Sequence, residues 1–382
     1  MRPQRSPGVA RRAHLGALMC AAVAGACTTS SPPVTRPAPA GSTSTSTSAA
    51  ATPPAPPAAT APRYRVMGRV DTRDPAAPRF AWPGTTVIVR FSGTRLSAKL
   101  RDERSKNHFQ IIVDGQVHGS LPLDADKQDY VVVEGLPKGE HTVLLAKRTE
   151  AELGDVVLLG LDTDGTMLEP PPPSARRIEL VGDSITAGYG NEGKGPLCPF
   201  KAETENEYDA YGAIAARALG ADHLTLAWSG KTIGQVAAVY ERVLPTHADS
   251  PTAASFDPQL VVINLGTNNF ANGDPGELGW YNAYASLVDK VRAAHPNALI
   301  ALALGPMLTD AYPLGRRSLT KARVYMRATF AKLHAKDPKI ELLEFPEQKH
   351  SDGLGCNFHP SKKTHAMMAE RLVAFAKEKL GW

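Results

Sequence analysis

The sequence predicts two folded domains, an antiparallel β-sandwich followed by an α/β domain built on a parallel sheet. Short runs of β-type residues between turn residues fill the first domain, which we place at residues 63–165. In the second domain, at 174–382, short apolar strands alternate with stretches long enough to form helices. A proline-rich connector at 169–173 separates the two patterns.

The N-terminal residues predict export rather than a fold. Residues 1–27 have the layout of a secretory signal, in which arginines precede an apolar run of small residues. The end of this run, VAGAC, resembles the cleavage box of bacterial lipoproteins, so we expect lipidation of Cys27; cleavage directly before that cysteine without lipidation is the alternative. Residues 28–62 are almost wholly Ser, Thr, Ala and Pro and predict an extended linker. We therefore expect a membrane-anchored lipoprotein, periplasmic or at the cell surface, or else a secreted protein.

The net charge argues against a nucleic-acid partner. The formal charge is +5, but four arginines within the first 26 residues supply most of it, and the rest of the chain carries about +1. Such a balance of charge does not suit a protein that must neutralise many phosphates.

The four cysteines include no Cys-x-x-Cys pair that would suggest zinc. Cys198 and Cys356 lie in the folded part, where they can pair in an oxidising compartment or remain as two buried thiols.

Turn residues and β-type runs define the first domain. Asp114-Gly115 is a dipeptide typical of a type I′ hairpin turn, and further glycines separate the other runs. The predicted strands are 86–91, 109–113, 130–133, 141–145 and 156–161. About a hundred residues of this kind predict an antiparallel sandwich.

Strands and helices alternate in the second domain. The predicted strands are 177–181, 224–227, 260–265, 298–304 and 340–343. Apolar residues at helical spacing between Tyr281 and Val291 predict a helix that ends before Pro296. This alternation indicates a parallel sheet with helices on both faces, in which ligands bind at the carboxyl ends of the strands.

Three strand ends in this domain carry polar or glycine residues suited to catalysis. Ser184 follows the first strand and is positioned like a nucleophile, although a serine there can simply cap the next helix. Gly230 follows the second strand and allows close backbone approach, and Asn268 follows the third. A hydroxyl, a backbone N–H and a side-chain amide at one rim are the components of an oxyanion hole.

A histidine near the C-terminus is the candidate base. His359 precedes Pro360, which we expect to fix the start of the final helix and hold the imidazole on a rigid loop. The apolar face of that helix is predicted to include Met367, Met368, Leu372 and Phe375. We place His365, one turn further on, at the helix surface.

These segments together resemble known families. The blocks GDSIT at 182–186, the loop of Gly230, GTNN at 266–269 and the pair His359-Pro360 resemble those of the SGNH (GDSL-type) hydrolase superfamily. More narrowly, a β-sandwich ahead of the hydrolase domain and the segments CPF at 198–200, TEN at 204–206, SGK at 229–231 and CNFHP at 356–360 resemble carbohydrate esterase family 2. The resemblance implies a jelly-roll-like sandwich followed by a flavodoxin-like α/β/α domain.

The resemblance also implies an activity. Members of that family are two-domain acetyl esterases that remove O-acetyl groups from plant polysaccharides such as xylan and mannan. Ser184 would be the nucleophile and His359 the general base and then acid. The N–H groups of Ser184 and Gly230, with the Asn268 side chain, would form the oxyanion hole. No metal or cofactor is implied, the expected partner is an acetylated carbohydrate, and we expect a monomer.

One departure from the superfamily pattern concerns the acid that orients the histidine. Cys356 occupies the position where an Asp is usual, and Asn357 stands where some family members have an acid. We therefore expect a Ser–His dyad in which a backbone carbonyl or Asn357 holds His359, with Asp352 as the alternative. The resemblance also implies a disulfide between Cys198 and Cys356.

Several aromatic residues lie in or beside these loops. Phe358, Trp228 and Tyr189 are candidates for the substrate pocket, whereas Trp280 is expected to pack in the core.

Two further interpretations of the function remain open. One is an esterase acting on another acylated glycan or a small acyl ester, and the other is a non-catalytic glycan-binding protein.

Overall fold

The computed structural model describes residues 63–271 and 273–382. The predicted signal, the lipidation site at Cys27 and the linker lie outside the described residues. Within the described part, no helix is both long and apolar enough to cross a membrane.

The first domain is a sandwich of two antiparallel sheets. Its strands are β1 (Arg65–Met67), β2 (Arg79–Phe80), β3 (Thr86–Gly93), β4 (Leu96–Asp102), β5 (His108–Val113), β6 (Gln116–Pro122), β7 (Asp129–Val133), β8 (Gly139–Lys147), β9 (Val156–Thr163) and β10 (Thr166–Leu168). One sheet has the order β1-β3-β8-β5-β6 with β10 also paired to β3, and the other has the order β2-β9-β4-β7. Alternate residues of β4 face the core, where Leu96, Ala98 and Leu100 are buried. Asp114 and Gly115 both have positive φ in the β5–β6 hairpin, as a type I′ turn requires.

The second domain is built on a parallel sheet of order β12-β11-β13-β14-β15. The strands are β11 (Arg177–Gly182), β12 (Asp222–Ala227), β13 (Leu260–Asn264), β14 (Leu299–Leu304) and β15 (Ile340–Glu344), and each contains one of the predicted apolar runs or most of it. The helices are α1 (Ser184–Ala187), α2 (Tyr211–Ala218), α3 (Ile233–Val239), α4 (Glu277–Ala294), α5 (Ser318–His334) and α6 (Lys362–Leu380). This is the doubly wound order, which reverses between β11 and β13 and opens a crevice at their carboxyl ends.

Both faces of the parallel sheet are covered by helices. Residues of α3, α4 and α5 share a core with one face, and residues of α2 and α6 share a core with the other. Neighbouring residues of one strand point into different cores; Leu180 joins the second core and Val181 the first. Burial on both faces explains why these strands read as continuous apolar runs.

The two domains are in direct contact. Trp82 of the sandwich domain is buried in a core of the α/β domain, and its indole N–H donates to the carbonyl oxygen of Arg242 at 3.1 Å. Arg65 of β1 forms an ion pair with Asp222 of β12 at 2.6 Å. Side chains from one domain can therefore reach loops of the other.

Three details around the final helix differ from the sequence predictions. The helix begins at Lys362 and is capped by the Ser361 side chain, so Pro360 precedes the cap rather than opening the helix. Met367 is 39% exposed and lies outside the apolar face. His365 is fully buried and not at the helix surface. Its Nδ1 accepts a hydrogen bond from the backbone N–H of Tyr211 on α2 at 3.1 Å, which gives the buried ring a polar partner.

Candidate active site

Ser184 lies at the carboxyl end of β11 as the first residue of α1. Asp183 caps this short helix, and its Oδ1 accepts from the N–H of Ile185 at 3.1 Å. The turn is tight; a Cβ added at Gly182 would lie 2.0 Å from the Oγ1 atom of Thr186. The serine is 7% exposed, and its N–H belongs to the first turn of a helix, where backbone donors have no partner within the helix.

His359 is in hydrogen-bond contact with that serine. Its Nε2 lies 2.8 Å from Ser184 Oγ, while its Nδ1 lies 3.2 Å from the carbonyl oxygens of Cys356 and of Asn357. Because carbonyl oxygens only accept, Nδ1 carries the proton and Nε2 is free to accept the serine proton. Burial lowers the pKa of His359 to about 4, so the imidazole is neutral near pH 7 and able to act as a base.

Backbone groups and an aromatic ring, rather than a carboxylate, hold the imidazole. The Asn357 side chain forms no hydrogen bond with the imidazole and donates instead from Nδ2 to the Tyr189 hydroxyl at 2.9 Å. Asp352 is not brought to the histidine and forms an ion pair with Lys363 at 2.8 Å. Tyr189, a predicted pocket residue, packs its ring against the imidazole with centroids 4.3 Å apart. The arrangement is a Ser–His dyad with its tautomer set by main-chain carbonyls.

The loop that carries His359 has an unusual backbone. Asn357 and Phe358 have φ angles of 52° and 62°, a left-handed region that non-glycine residues seldom occupy. The disulfide between Cys198 and Cys356 joins this loop to the segment that follows Ser184 and α1. Close approach requires small residues here, since a Cβ at Gly193 would lie 2.3 Å from the Cys356 sulfur.

The two predicted oxyanion partners lie at neighbouring strand ends. Gly230, with φ of +75°, follows β12, and its N–H has no acceptor within the described chain. Asn268 follows β13, and its Nδ2 donates to Asp183 Oδ2 at 3.2 Å and to the carbonyl oxygen of Lys231 at 3.1 Å. The amide is thus bonded to the residue before Ser184 and to the residue after Gly230, at the same rim as the N–H groups of Ser184 and Gly230. These two bonds engage both protons of the Asn268 amide.

Asp183 is a further ionisable group in the site. Its carboxyl group is fully buried, and burial raises its pKa to about 7. In either protonation state an oxygen remains to accept from Asn268. Sequence reasoning did not single out this carboxylate as a partner of the asparagine, because only the sheet topology brings the two strand ends together.

The predicted pocket aromatics have different surroundings. Phe358 is 49% exposed and lines a cavity of about 700 Å³ together with Pro306, Met307, Thr309, Ala311, Tyr312, Glu347, Gln348, His350 and Leu354. Trp228 donates its indole N–H to Glu152 at 2.5 Å and lies under the Lys231 ammonium at 4.3 Å. Trp280 is fully buried, in agreement with the expected core position.

Sequence reasoning missed a contribution of the sandwich domain to this rim. Glu150 and Glu152, which follow β8, accept hydrogen bonds from the loop after β12. The segment reads Lys-Arg-Thr-Glu, a charged run that resembles a solvated turn, and only packing between the domains reveals its role. Within the described residues, no group of three or more His, Cys, Asp or Glu side chains could hold a metal ion.

A serine bonded to a histidine at the switch point of a doubly wound sheet, beside a Gly230 N–H that has no acceptor within the described chain, defines a serine hydrolase. The comparisons with known proteins agree with this class. The carbohydrate esterase 2 N-terminal family matches residues 66–172, and the GDSL-like lipase/acylhydrolase family matches residues 180–367.

Individual relatives cover both domains. A family two carbohydrate esterase from Clostridium thermocellum, solved in complex with cellohexaose, is 38% identical with a TM-score of 0.78, over 84% of this chain and 99% of that chain. An acetylxylan esterase/glucomannan deacetylase of Cellvibrio japonicus is 28% identical over 340 residues, which cover 85% of this chain and 91% of that protein. The chain belongs to carbohydrate esterase family 2.

One relative is much longer than the matched region. The cellulase/esterase CelE of Acetivibrio thermocellus is 38% identical over 326 residues, which cover 82% of this chain. The match spans 39% of the length of CelE.

Proposed function

We propose that the protein is a serine esterase that removes O-acetyl groups from carbohydrate of the xylan or mannan type. The observation that carries this proposal is the 2.8 Å contact between Ser184 Oγ and His359 Nε2, beside the Gly230 N–H and the Asn268 amide. The names of the relatives support the substrate class. The near-neutral folded part of the chain also suits an uncharged sugar ester.

The geometry supports acyl transfer through the serine. His359 Nε2 takes the Ser184 hydroxyl proton as Oγ attacks the acetyl carbonyl carbon. The carbonyl oxygen becomes an oxyanion, which the N–H groups of Ser184 and Gly230 stabilise. The Asn268 amide joins them by exchanging one of its two present hydrogen bonds for a bond to the oxyanion. The C–O bond to the sugar then breaks, and the imidazolium returns the proton to the sugar oxygen. Water, deprotonated by the same imidazole, hydrolyses the acetyl-serine to acetate and free serine.

The test compares two model esters and one variant. We expect 4-nitrophenyl acetate to be hydrolysed faster than the butyrate, and Ser184→Ala to lower kcat by about 1,000-fold or more. Ser174→Ala, directly after the connector between the domains, is the matched control and should leave kcat unchanged. Activity that survives Ser184→Ala would contradict the assigned nucleophile. An inactive wild-type protein that still binds glycan would favour the non-catalytic alternative.

Natural substrates then separate the two esterase interpretations. We expect acetate release from acetylated xylan and acetylated glucomannan, measured enzymatically. Equal rates on acetate and butyrate esters, with no release from either polysaccharide, would favour a different acylated glycan or a small acyl ester.

Export and lipidation are part of the proposal. The arginine-bearing start, the apolar run and the VAGAC segment ending at Cys27 support a lipoprotein. Bacterial cells that express the full chain should incorporate labelled palmitate into it, and Cys27→Ser should abolish the label. An exported but unlabelled wild-type protein would favour ordinary secretion instead.

A further inference from the structure

We propose that Glu150 of the sandwich domain is a positioning residue for the oxyanion hole, because it fixes the Trp228–Ser229 peptide, next to the peptide that carries the Gly230 N–H. Its Oε2 accepts a hydrogen bond from the backbone N–H of Ser229 at 2.5 Å, and the residue is 4% exposed. The inference rests on the proposed function and concerns how one donor of that site is held. It makes the sandwich domain a necessary part of the catalytic machinery.

The loop of Gly230 depends on such external contacts. The Trp228 N–H donates to the Gly182 carbonyl at 3.2 Å, and the Lys231 carbonyl accepts from Asn268 at 3.1 Å. Between these two points, the Ser229 N–H is held by Glu150, and the Gly230 N–H has no acceptor within the described chain. Each neighbour of the Gly230 donor is therefore fixed, and the donor itself remains available to a substrate oxygen.

The backbone of Glu150 is in turn held in place by buried groups. The Glu150 N–H donates to Oε2 of Glu205 at 3.0 Å, and its carbonyl oxygen accepts from the Lys147 ammonium at 3.3 Å. Both partners are fully buried. A second contact reaches the same loop from the next turn, where Glu152 accepts the indole N–H of Trp228 at 2.5 Å. Because these contacts hold Glu150 in place, its side-chain oxygen determines where the Ser229 N–H lies.

The position of the acceptor, rather than its charge, is the property that matters. Burial raises the pKa of the Glu150 carboxyl, and an oxygen that can accept from Ser229 is present in both protonation states. Loss of this acceptor would leave a buried N–H without a partner and free the peptide to rotate. Displacement of a catalytic group by about 1 Å costs on the order of 100-fold in rate.

Two conservative variants separate position from charge. Glu150→Gln keeps an acceptor oxygen at the same reach without the charge, and we expect kcat on 4-nitrophenyl acetate within threefold of wild type. Glu150→Asp keeps the charge but withdraws the acceptor by one methylene, and we expect kcat to fall roughly tenfold or more with KM changed less than twofold. The affinity for methylboronic acid, a tetrahedral adduct former at Ser184, should fall by the same factor as kcat in the aspartate variant.

The controls distinguish a failure of this inference from other failures. Thr149→Val removes a neighbouring buried hydroxyl that bonds Asn107, and it should lower the Tm without lowering kcat. Wild-type activity that is lost in Ser184→Ala establishes the proposed function independently. With that activity present, a folded Glu150→Asp variant with kcat within threefold of wild type would overturn the inference. So would a Glu150→Gln variant as slow as Glu150→Asp, or an effect confined to KM.

Discussion

The phenol ring of Tyr189 packs against the imidazole of His359, with ring centroids 4.3 Å apart and an angle of 36° between the planes. The phenol ring also stacks on Phe200, with ring centroids 4.3 Å apart and an angle of 19° between the planes. The tyrosine hydroxyl accepts from the Asn357 side chain at 2.9 Å, within the loop that carries the histidine. Tyr189 thus contacts both the imidazole of His359 and the loop that carries it, in a site where no carboxylate of the described residues bonds the imidazole.

This contact predicts that two substitutions of Tyr189 lower kcat by different amounts. Tyr189→Phe keeps the ring and loses only the bond from Asn357, so kcat should fall about twofold to fivefold. Tyr189→Ala removes the surface against which the imidazole packs, and kcat should fall roughly tenfold or more, with little change in KM. Steady-state kinetics on 4-nitrophenyl acetate measures both. Equal effects of the two substitutions would show that the ring does not position His359.

The lowered pKa of His359 predicts activity in mild acid. Burial disfavours the imidazolium and lowers the pKa to about 4, so the neutral base persists at pH 5, where an unperturbed histidine would be mostly protonated. We expect kcat/KM to stay nearly constant from pH 7 to pH 5 and to fall about tenfold per pH unit below pH 4.

The buried carboxyl of Asp183 supplies the control for that profile. Its pKa is raised to about 7, so it also titrates in the working range. Asp183→Asn removes this titration, and the acid limb near pH 4 should remain in the variant. A limb near pH 6.5 in both proteins would contradict the assignment to His359.

Buried His365 predicts a loss of stability in acid. Its pKa is lowered to about 3 by burial, whereas an unfolded histidine titrates near 6.5. Between these values the unfolded state binds the additional proton, so this group lowers the free energy of unfolding by about 1.4 kcal/mol for each pH unit of acidification. Urea unfolding at pH 7 and pH 5 should show a smaller loss for His365→Gln than for wild type. Equal losses would exclude this histidine as the cause.

The parallel sheet and the residues at its strand ends could be predicted because their signals are local. Buried strands are continuous apolar runs, and Ser184, Gly230 and Asn268 each follow one directly. In the sandwich, β1, β2 and β10 are three residues or shorter and carry no usable pattern. β4 does alternate apolar and polar residues, and a stricter search for a period of two would have found it.

The missed features depend on contacts between segments far apart in the chain. Glu150 is charged and follows a lysine and an arginine, yet packing of the sandwich against the α/β domain buries it beside Ser229. His365 has a polar side chain on an amphipathic helix, and only the neighbouring backbone of Tyr211 gives it a partner inside the protein. The residues next to Glu150 and His365 in the sequence therefore do not indicate either of these partners.

The disulfide between Cys198 and Cys356 predicts a coupled loss of stability and activity. It closes a loop of 158 residues, and a cross-link of this kind contributes about 2–5 kcal/mol. Cys356 also provides one of the carbonyl oxygens that hold His359 Nδ1. Cys198→Ser should therefore lower both the Tm and kcat. Thermal unfolding and kinetics below the Tm measure the two effects, and an unchanged kcat would show that the loop holds its shape without the bond.

The amide of Asn268 predicts a large loss of kcat on substitution, beyond the loss of stability from its two hydrogen bonds. Its Nδ2 bonds Asp183 at 3.2 Å and the Lys231 carbonyl at 3.1 Å, which places the amide between the residue before Ser184 and the loop of Gly230. In the proposed mechanism one of these two bonds is exchanged for a bond to the oxyanion. Removal of one oxyanion donor costs on the order of 100-fold in kcat, so Asn268→Ala should be slowed by about that factor at nearly constant KM. Asn269→Ala is the matched control in the same turn; its Oδ1 accepts from the Ile233 N–H at 3.1 Å, and its loss should lower the Tm more than kcat. If both alanine variants slow the enzyme equally, the effect arises from the turn as a whole and not from the Asn268 donor.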